Sequence, residues 1–168
     1  LVAGGALGSA FIPVFSRHLT QGNSEGAWRL ARATLTLSTL IALLLSVGAA
    51  LIAFPIVDSI LTPQASLAQK QLTAELMQIM LITVAIFSAS GLIMAILNAN
   101  QRFLAPALAP SMNNVGLIFG ALLLSPSMGV HGLAWGAVLG AALHLLIQVP
   151  SLRPFAAQLR PDGVLITD

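Results

Sequence analysis

The chain has 168 residues, of which 57% are hydrophobic and 7% charged, and its formal net charge is +2. Soluble domains carry about 25% charged residues, so this composition leaves too little polar surface for a water-exposed globule, and a lipid bilayer is the expected solvent. The lysine- and arginine-rich runs of nucleic-acid-binding proteins are absent, which argues against a nucleic-acid partner. The lack of cysteine excludes a disulfide framework, cysteine-ligated zinc and thiol catalysis.

Five apolar stretches follow one another and predict an all-α, polytopic transmembrane helical bundle. A helix needs about 20 apolar residues to cross a hydrocarbon core of about 30 Å, whereas a barrel strand needs about 10 with alternating polarity. The windows are long and do not alternate, so helices are favoured. Residues 1–150 are predicted to be the transmembrane part, with a partial helix at residues 1–16 and complete spans at residues 30–61, 72–100, 104–124 and 129–150.

Both ends of the sequence are expected to be cuts through a longer protein. The chain begins at Leu1, inside an apolar stretch and without an initiator methionine, and it stops at Asp168. After Pro150 the sequence becomes amphipathic and is interrupted by prolines. Residues 151–168 are therefore predicted to form a cytoplasmic or interfacial segment.

Short polar connections separate the spans and predict their orientation. Ser24 is the predicted N-cap of the helix that follows the first connection, and SPSMG at residues 125–129 is a predicted turn. Six arginines fall on the side of the first connection, the third connection and the tail, whereas Lys70 is the one basic residue on the other side. Because cytoplasmic loops are enriched in lysine and arginine, the side that carries Arg17, Arg102 and Arg153 is predicted to be cytoplasmic.

Glycines recur at every fourth position in three places, and prolines lie near several predicted helix ends. In lipid, stripes of small residues let two helix backbones approach closely, and such a stripe serves either static packing or a sliding surface between moving helices. Pro55, Pro106 and Pro110 mark either plain helix boundaries or hinges. The glycines are Gly4 and Gly8, then Gly116 and Gly120, then Gly132, Gly136 and Gly140.

A few polar residues are predicted to lie at membrane depth, where polar groups are costly. Asn113 and Asn114 fall about two turns into the fourth span, and His144 and Gln148 lie one turn apart on the last. Either an interhelical hydrogen bond or a contact with a transported substrate would account for them. Asp58 is expected at the outer interface, where water solvates it.

No catalytic arrangement is visible in the sequence. The histidines, His18, His131 and His144, are scattered over loops and opposite membrane faces, so no metal site is predicted. Paired acids, a phosphate-binding glycine loop and a nucleophile elbow are all missing. We therefore expect neither an enzyme nor a cofactor.

Three stretches together resemble one family of membrane proteins. They read AGGALGSAFIPV at residues 3–14, GLIMAILNANQRFLAPALAPSMNN at residues 91–114, and GLAWGAVLGAALHLLIQVPSLRP at residues 132–154. Their order and spacing resemble the bacterial lipid II flippases, the MurJ or MviN family, within the multidrug/oligosaccharidyl-lipid/polysaccharide exporter superfamily. ILNANQRFLAPALAP is the most specific stretch, because its asparagine, its arginine-phenylalanine pair and its two spaced prolines all fit.

The resemblance implies a larger fold and a transport function. It implies fourteen transmembrane helices in two six-helix lobes plus two additional helices, with this chain running from the end of helix two through helix six. It implies transport of lipid II, the undecaprenyl-pyrophosphate-linked peptidoglycan precursor, to the outer leaflet of the bacterial plasma membrane, as the lobes rock around a cationic cavity. Lipid II and membrane lipids are the implied partners.

The resemblance also narrows the candidate site residues. The family's best-known cavity arginines lie before Leu1 or in the second lobe, and members often carry a carboxylate at the position of Gly4 and glutamine at that of His144. Arg17 and Arg102 would either contact lipid phosphate at a cytoplasmic gate or simply anchor the topology. The full set of substrate or gate candidates is Arg17, Arg102, Asn98, Asn113 and Asn114.

Two other functions compete with lipid II transport. The first is a related exporter of another polyprenyl-linked saccharide or of cationic drugs. A drug or cation antiporter is expected to hold a carboxylate within the membrane, and the apolar windows Leu35 to Phe54, Leu76 to Leu97, Leu104 to Leu124 and Gly129 to Val149 contain none. The second is a membrane scaffold without transport activity, which would lack a water-filled polar cavity between lobes.

Overall fold

In the computed structural model the described residues, 2–159, form a bundle of helices without a strand, and side chains are described from residue 8 onward. This confirms the predicted all-α fold class. Four helices in this part of the chain are long and apolar enough to cross a membrane, namely Ser24–Leu51, Leu67–Ala99, Leu104–Met128 and Val130–Phe155. The α-helices are α1 Val2–Thr20, α2 Ser24–Leu51, α3 Ala53–Ile56, α4 Leu67–Ala99, α5 Leu104–Phe119, α6 Ser125–Met128, α7 Val130–Leu146 and α8 Val149–Leu152.

The long helices run alternately up and down, and α4 lies at the centre. Helices α1 and α2 pack on α4 and on each other, while α7 packs on both α4 and α5. The α1–α2 and α4–α5 turns and the segment after α7 share one end of the bundle, which we call the arginine end because Arg17 and Arg102 lie there. The opposite end holds the α3–α4 and α6–α7 connections. The bundle therefore separates the basic residues in the way that the loop charges predict.

The turn between α1 and α2 is capped by asparagine. Asn23 is the N-cap of α2, and its side-chain oxygen accepts from the Gly26 N–H at 2.9 Å. The prediction of Ser24 as the N-cap was wrong by one residue, because Gly22, with φ of +75°, turns the chain so that the Asn23 side chain reaches the first free N–H groups. The helix begins at Ser24, well before residue 30, where the span was predicted to start.

The stretch predicted as one span at residues 30–61 is divided in two. Helix α2 ends at Leu51, and α3 is followed by a π-helical turn at Val57–Leu61. Pro55 lies inside α3 and lacks the N–H that would continue the backbone ladder of α2. The Gln78 side chain from α4 donates to the Ala50 carbonyl at 2.9 Å, which satisfies a backbone acceptor in the last turn of α2.

The reversal between α5 and α7 is tighter than predicted. The chain stays helical through a π-helical turn at Gly120–Leu124 and through α6, so most of the predicted SPSMG turn is helix. Gly129 alone reverses the chain, with φ of +59° and ψ of −137°. Only glycine adopts this conformation without strain.

An aromatic cluster joins α1, α2 and α4 near the arginine end. The Phe11 and Phe15 rings stack at 5.1 Å, and Phe15 meets Trp28 edge-on at 5.4 Å. Leu92 and Ile96 of α4 close the cluster from the other side. Aromatic pairs in these geometries add about 0.5–1.5 kcal/mol beyond their area burial, so this cluster fixes the three helices relative to one another.

Candidate functional site

Arg102 stands in a sharp turn at the arginine end. Its backbone N–H donates to the Leu97 carbonyl at 2.8 Å, and the Asn100 side chain donates to the Ile96 carbonyl at 2.8 Å. These bonds satisfy the last carbonyls of α4. Gln101 takes the left-handed conformation, with φ of 58°, which reverses the chain and leaves the Arg102 side chain exposed at the mouth of the turn.

A cavity of about 690 Å³, wide open to the surface, lies beside this turn. Both polar and apolar side chains line it, so its surface is amphipathic. Its charged member is Arg102, whose guanidinium offers five donors in a fork that matches phosphate oxygens. The lining residues are Asn100, Gln101, Arg102, Phe103, Leu104, Ala105 and Ser151.

The other two candidates at the arginine end do not line this cavity. Arg17 lies exposed in the last turn of α1, and it belongs to a different turn from Arg102. Asn98 is half-buried near the end of α4, and its carbonyl accepts from the Gln101 N–H at 3.0 Å. Arg160, part of the predicted basic tail, lies outside the described residues.

Asn113 and Asn114 are separated from the arginine end by about two turns of α5 and do not join Arg102. Asn113 is half-buried and faces α7, where a Cβ built on Gly140 would come within 2.8 Å of its side-chain oxygen. Asn114 is exposed on the outside of α5. The two neighbouring asparagines therefore have different surroundings, one at a helix–helix contact and the other open.

The glycines of α5 and α7 form a backbone-to-backbone contact. A Cβ on Gly116 would collide with the backbone N and Cα of Gly140, and one on Gly136 would lie 2.6 Å from the Gly120 Cα. At the outer end of the stripe, a Cβ on Gly132 would lie 2.5 Å from the backbone of Leu124. The contact continues along the π-helical turn, so α5 and α7 touch without side chains between them.

Gly8, part of the glycine stripe predicted on α1, does not make a backbone-to-backbone contact of this kind. A Cβ on Gly8 would lie 3.6 Å from the Ala95 Cβ, which is an ordinary contact distance. Helix α1 therefore leaves room for side chains on α4, and the surroundings of Gly4 fall outside the described side chains.

Pro106 and Pro110 occupy different positions in α5. Pro106 is buried in the first turn, where its missing N–H has no helical partner in any case. Pro110 lies inside the helix, on its exposed face. It removes one backbone hydrogen bond from α5, so of the two it is the one that locally weakens the helix.

A buried polar cluster joins α4 to the end of α7. The Ser90 hydroxyl lies 2.6 Å from His144 Nδ1 and accepts from Gln148 Nε2 at 2.7 Å. Gln148 Nε2 also donates to the His144 carbonyl at 2.8 Å, while its Oε1 is buried without a partner. The His144 ring meets Phe87 edge-on at 5.4 Å. His144 and Gln148 thus form an interhelical hydrogen-bond network, one of the two interpretations left open by their spacing.

Ser90 was missing from the candidate residues. It lies in an uncharged, apolar window, and serine is common in packed membrane helices, so the sequence carries no signal that separates it from other small residues. Its partners are 54 and 58 residues away in the chain, and only the fold brings them together.

The end opposite the arginines carries one lysine–aspartate ion pair and one histidine–glutamate contact. Lys70 Nζ donates to Asp58 Oδ1 at 2.7 Å, and His131 Nε2 lies 3.0 Å from Glu75 Oε2. The Asp58 side chain is 51% exposed, in keeping with the expectation that water solvates it. Exposed pairs of this kind contribute about 0–1 kcal/mol. Within the described part of the chain, no three His, Cys, Asp or Glu side chains converge on a metal position.

A bundle with four membrane-capable helices, charges confined to its two ends and glycine-mediated packing between helices defines a multi-pass α-helical membrane protein. The sequence model of the family described as "Lipid II flippase MurJ" matches residues 1–164. The chain therefore belongs to the MurJ lipid II flippase family, which confirms the resemblance. Among curated proteins, none matches the chain.

Proposed function

We propose that this protein moves lipid II from the inner to the outer leaflet of the bacterial plasma membrane by alternating access. The match of the family's sequence model to residues 1–164 carries this proposal. The chemistry of the substrate supports it as well. An anionic pyrophosphate with a large polar headgroup cannot cross bare hydrocarbon at a useful rate, so it needs a protein path with cationic hydrogen-bond donors.

Arg102 is the proposed first contact for the substrate's phosphate groups. It is the cation of the cavity beside the α4–α5 turn, and by the loop-charge argument this end faces the cytoplasm, where lipid II is made available. Asn100, Gln101 and Ser151 supply neutral donors and acceptors around it, while Phe103 and Leu104 give a surface for the lipid chain. The lining thus matches an amphipathic ligand with an anionic head.

Depletion rescue tests the proposed function. The full-length gene is expressed in cells whose own lipid II flippase is depleted, and lipid II exposed on the outer leaflet is measured together with growth. We expect both to be restored. Normal amounts of protein in the membrane without any rescue would reject the proposal and would favour an exporter of another lipid-linked saccharide or a scaffold.

Neutralising Arg102 is expected to slow transport. Arg102→Gln removes charge-assisted hydrogen bonds worth about 1.5–3 kcal/mol, so lipid II transport falls by about tenfold or more. Arg29→Gln is the matched control, because Arg29 is an exposed arginine in the first part of α2, near the same end, that does not line the cavity. Equal rates for the two variants would show that Arg102 only anchors the topology.

Thiol labelling tests the proposed orientation. Gln21 and Gln64 are exposed residues in turns at opposite ends of the bundle, and the 168 residues contain no cysteine that would react with the reagent. In spheroplasts, a membrane-impermeant maleimide is expected to label Gln64→Cys at once and Gln21→Cys only after permeabilisation. If the reagent labels both Gln21→Cys and Gln64→Cys from the outside, the two turns do not lie on opposite sides of the membrane.

A further inference from the structure

The segment that follows α8 turns back over the arginine end of α1 and α2. It forms a short 3-10 turn at Arg153–Phe155 and packs Phe155 and Leu159, four residues apart, on the aromatic cluster. The Phe155 ring stacks on Trp28 at 5.2 Å with an interplanar angle of 30°. Trp28 is 5% exposed, so this stack belongs to the covered interior of the bundle end.

Two arginines contact the same segment, one through a hydrogen bond and the other through an aromatic ring. Arg32 of α2 donates from Nη1 to the Gln158 carbonyl at 3.0 Å, across 126 residues of sequence. The Arg102 guanidinium lies 5.7 Å from the centre of the Phe155 ring, in the position of a cation–π contact. Phe155 therefore contacts both Trp28 of α2 and Arg102 of the α4–α5 turn.

These contacts join parts of the bundle that otherwise meet mainly through α4. Helices α1 and α2 pack on α4 and on each other, whereas α7 packs on α4 and on α5. The segment leaves the end of α7 and reaches across to Trp28 and Arg32. We propose that residues 153–159 form a clasp, which locks the arginine ends of α1 and α2 to the end of α7 and must release for the cytoplasmic side to change shape during transport.

The position of Arg102 gives the clasp a link to the cavity. In the docked state the guanidinium faces the Phe155 ring, and it also lines the cavity beside the α4–α5 turn. The face of a guanidinium that binds an anion can stay on an aromatic ring only while its edge donors reach the anion from there, so an anion bound deeper in the cavity would draw Arg102 away from Phe155. Substrate binding and release of the clasp are thereby coupled. This step rests on the proposed function, whereas docking of the clasp does not.

Hydrogen exchange of the purified full-length protein tests docking without any transport. Loss of one aromatic stack in Phe155→Ala is expected to raise the open fraction of residues 153–159, and hence their exchange rate, by about fivefold. Phe155→Tyr keeps the stack and should exchange like the wild type. Phe103→Ala is the control, because Phe103 lies next to Arg102 but is 59% exposed. Unchanged exchange in Phe155→Ala, or an equal rise in Phe103→Ala, would overturn the clasp.

A reversible cross-link tests whether the clasp must release. Arg32→Cys/Gln158→Cys is joined by a bifunctional maleimide whose linker contains a disulfide; none of the 168 residues is a native cysteine that could compete. We expect lipid II transport to stop when the link forms and to return when a reductant cleaves it, while treated single-cysteine variants keep their rate. Undiminished transport in the cross-linked protein would refute the need for release. If the untreated wild type moves no lipid II, the proposed function fails, and hydrogen exchange alone decides whether the clasp exists.

Discussion

Gly116→Ala is expected to lower the free energy of unfolding by about 3 kcal/mol, near the top of the range for overpacked sites. The added methyl group would collide with the backbone N and Cα of Gly140 on α7. A side chain in the way could rotate aside, but a backbone cannot, so α5 and α7 must separate along the whole stripe. In lipid, little hydrophobic force draws the helices back together, because close packing is itself the attraction.

The matched control is Gly48→Ala. Gly48 lies exposed in α2, and a Cβ there meets nothing within 4 Å. Since alanine is a better helix former than glycine, this change should be neutral or stabilising by up to about 1 kcal/mol. Titration of the purified proteins with a denaturing detergent in mixed micelles measures both. If Gly116→Ala unfolds at the same detergent fraction as Gly48→Ala, the close contact between α5 and α7 does not exist.

The glycine contact also limits what these two helices can do during transport. The sequence left open whether the stripe is a static contact or a sliding surface. With Gly116 against Gly140 and Gly120 against Gly136, the backbones interlock in one register. A shift by one residue would bring Leu117 or Leu139 into a space that admits only glycine. We infer that α5 and α7 move as one unit.

The helices themselves were predictable because their signal is local. An apolar window of about 20 residues means a span wherever it occurs, and the four long helices lie where such windows lie. The ends were less predictable. The break after Leu51 depends on Pro55 together with Gln78 from another helix, and the one-residue reversal at Gly129 depends on a backbone conformation that composition does not reveal.

The candidate site was predictable only in part, because its contacts are distant in sequence. Arg102 was one of two arginines that remained as candidates once the resemblance had placed the family's best-known cavity arginines elsewhere, and the structure shows that it lines a cavity. Its neighbour Phe155 could not be assigned, since an aromatic residue after a membrane span is typical of any interfacial segment. The spacing of His144 and Gln148 indicated a shared face, but the hydroxyl that joins them to α4 belongs to Ser90, one of many small residues in an apolar run.

Ser90→Ala is expected to destabilise the protein by about 1–3 kcal/mol, because two buried groups each lose a short hydrogen bond. Gln148 Nε2 donates to the Ser90 oxygen, so the hydroxyl hydrogen is free to donate to His144 Nδ1. Removal of this one oxygen takes away two short bonds and leaves His144 Nδ1 only its contact with Gln148 Nε2 at 3.4 Å, while Gln148 Nε2 keeps its bond to the His144 carbonyl. Ser90 and Gln148 are fully buried, and water cannot easily replace the lost bonds.

Ser46→Ala and a double-mutant cycle separate this effect from the loss of any buried hydroxyl. The Ser46 hydroxyl is buried without a partner, so its removal should cost little or nothing. Gln148→Leu should cost less than Ser90→Ala, because it also removes the unpartnered Oε1 from the interior. With both partners gone, Ser90→Ala/Gln148→Leu should be less destabilised than the sum of the single changes. Unfolding in detergent measures all four variants. If Ser90→Ala unfolds at the same detergent fraction as Ser46→Ala, the cluster does not tie α7 to α4. The same conclusion follows if the free-energy losses of the two single variants simply add in the double variant.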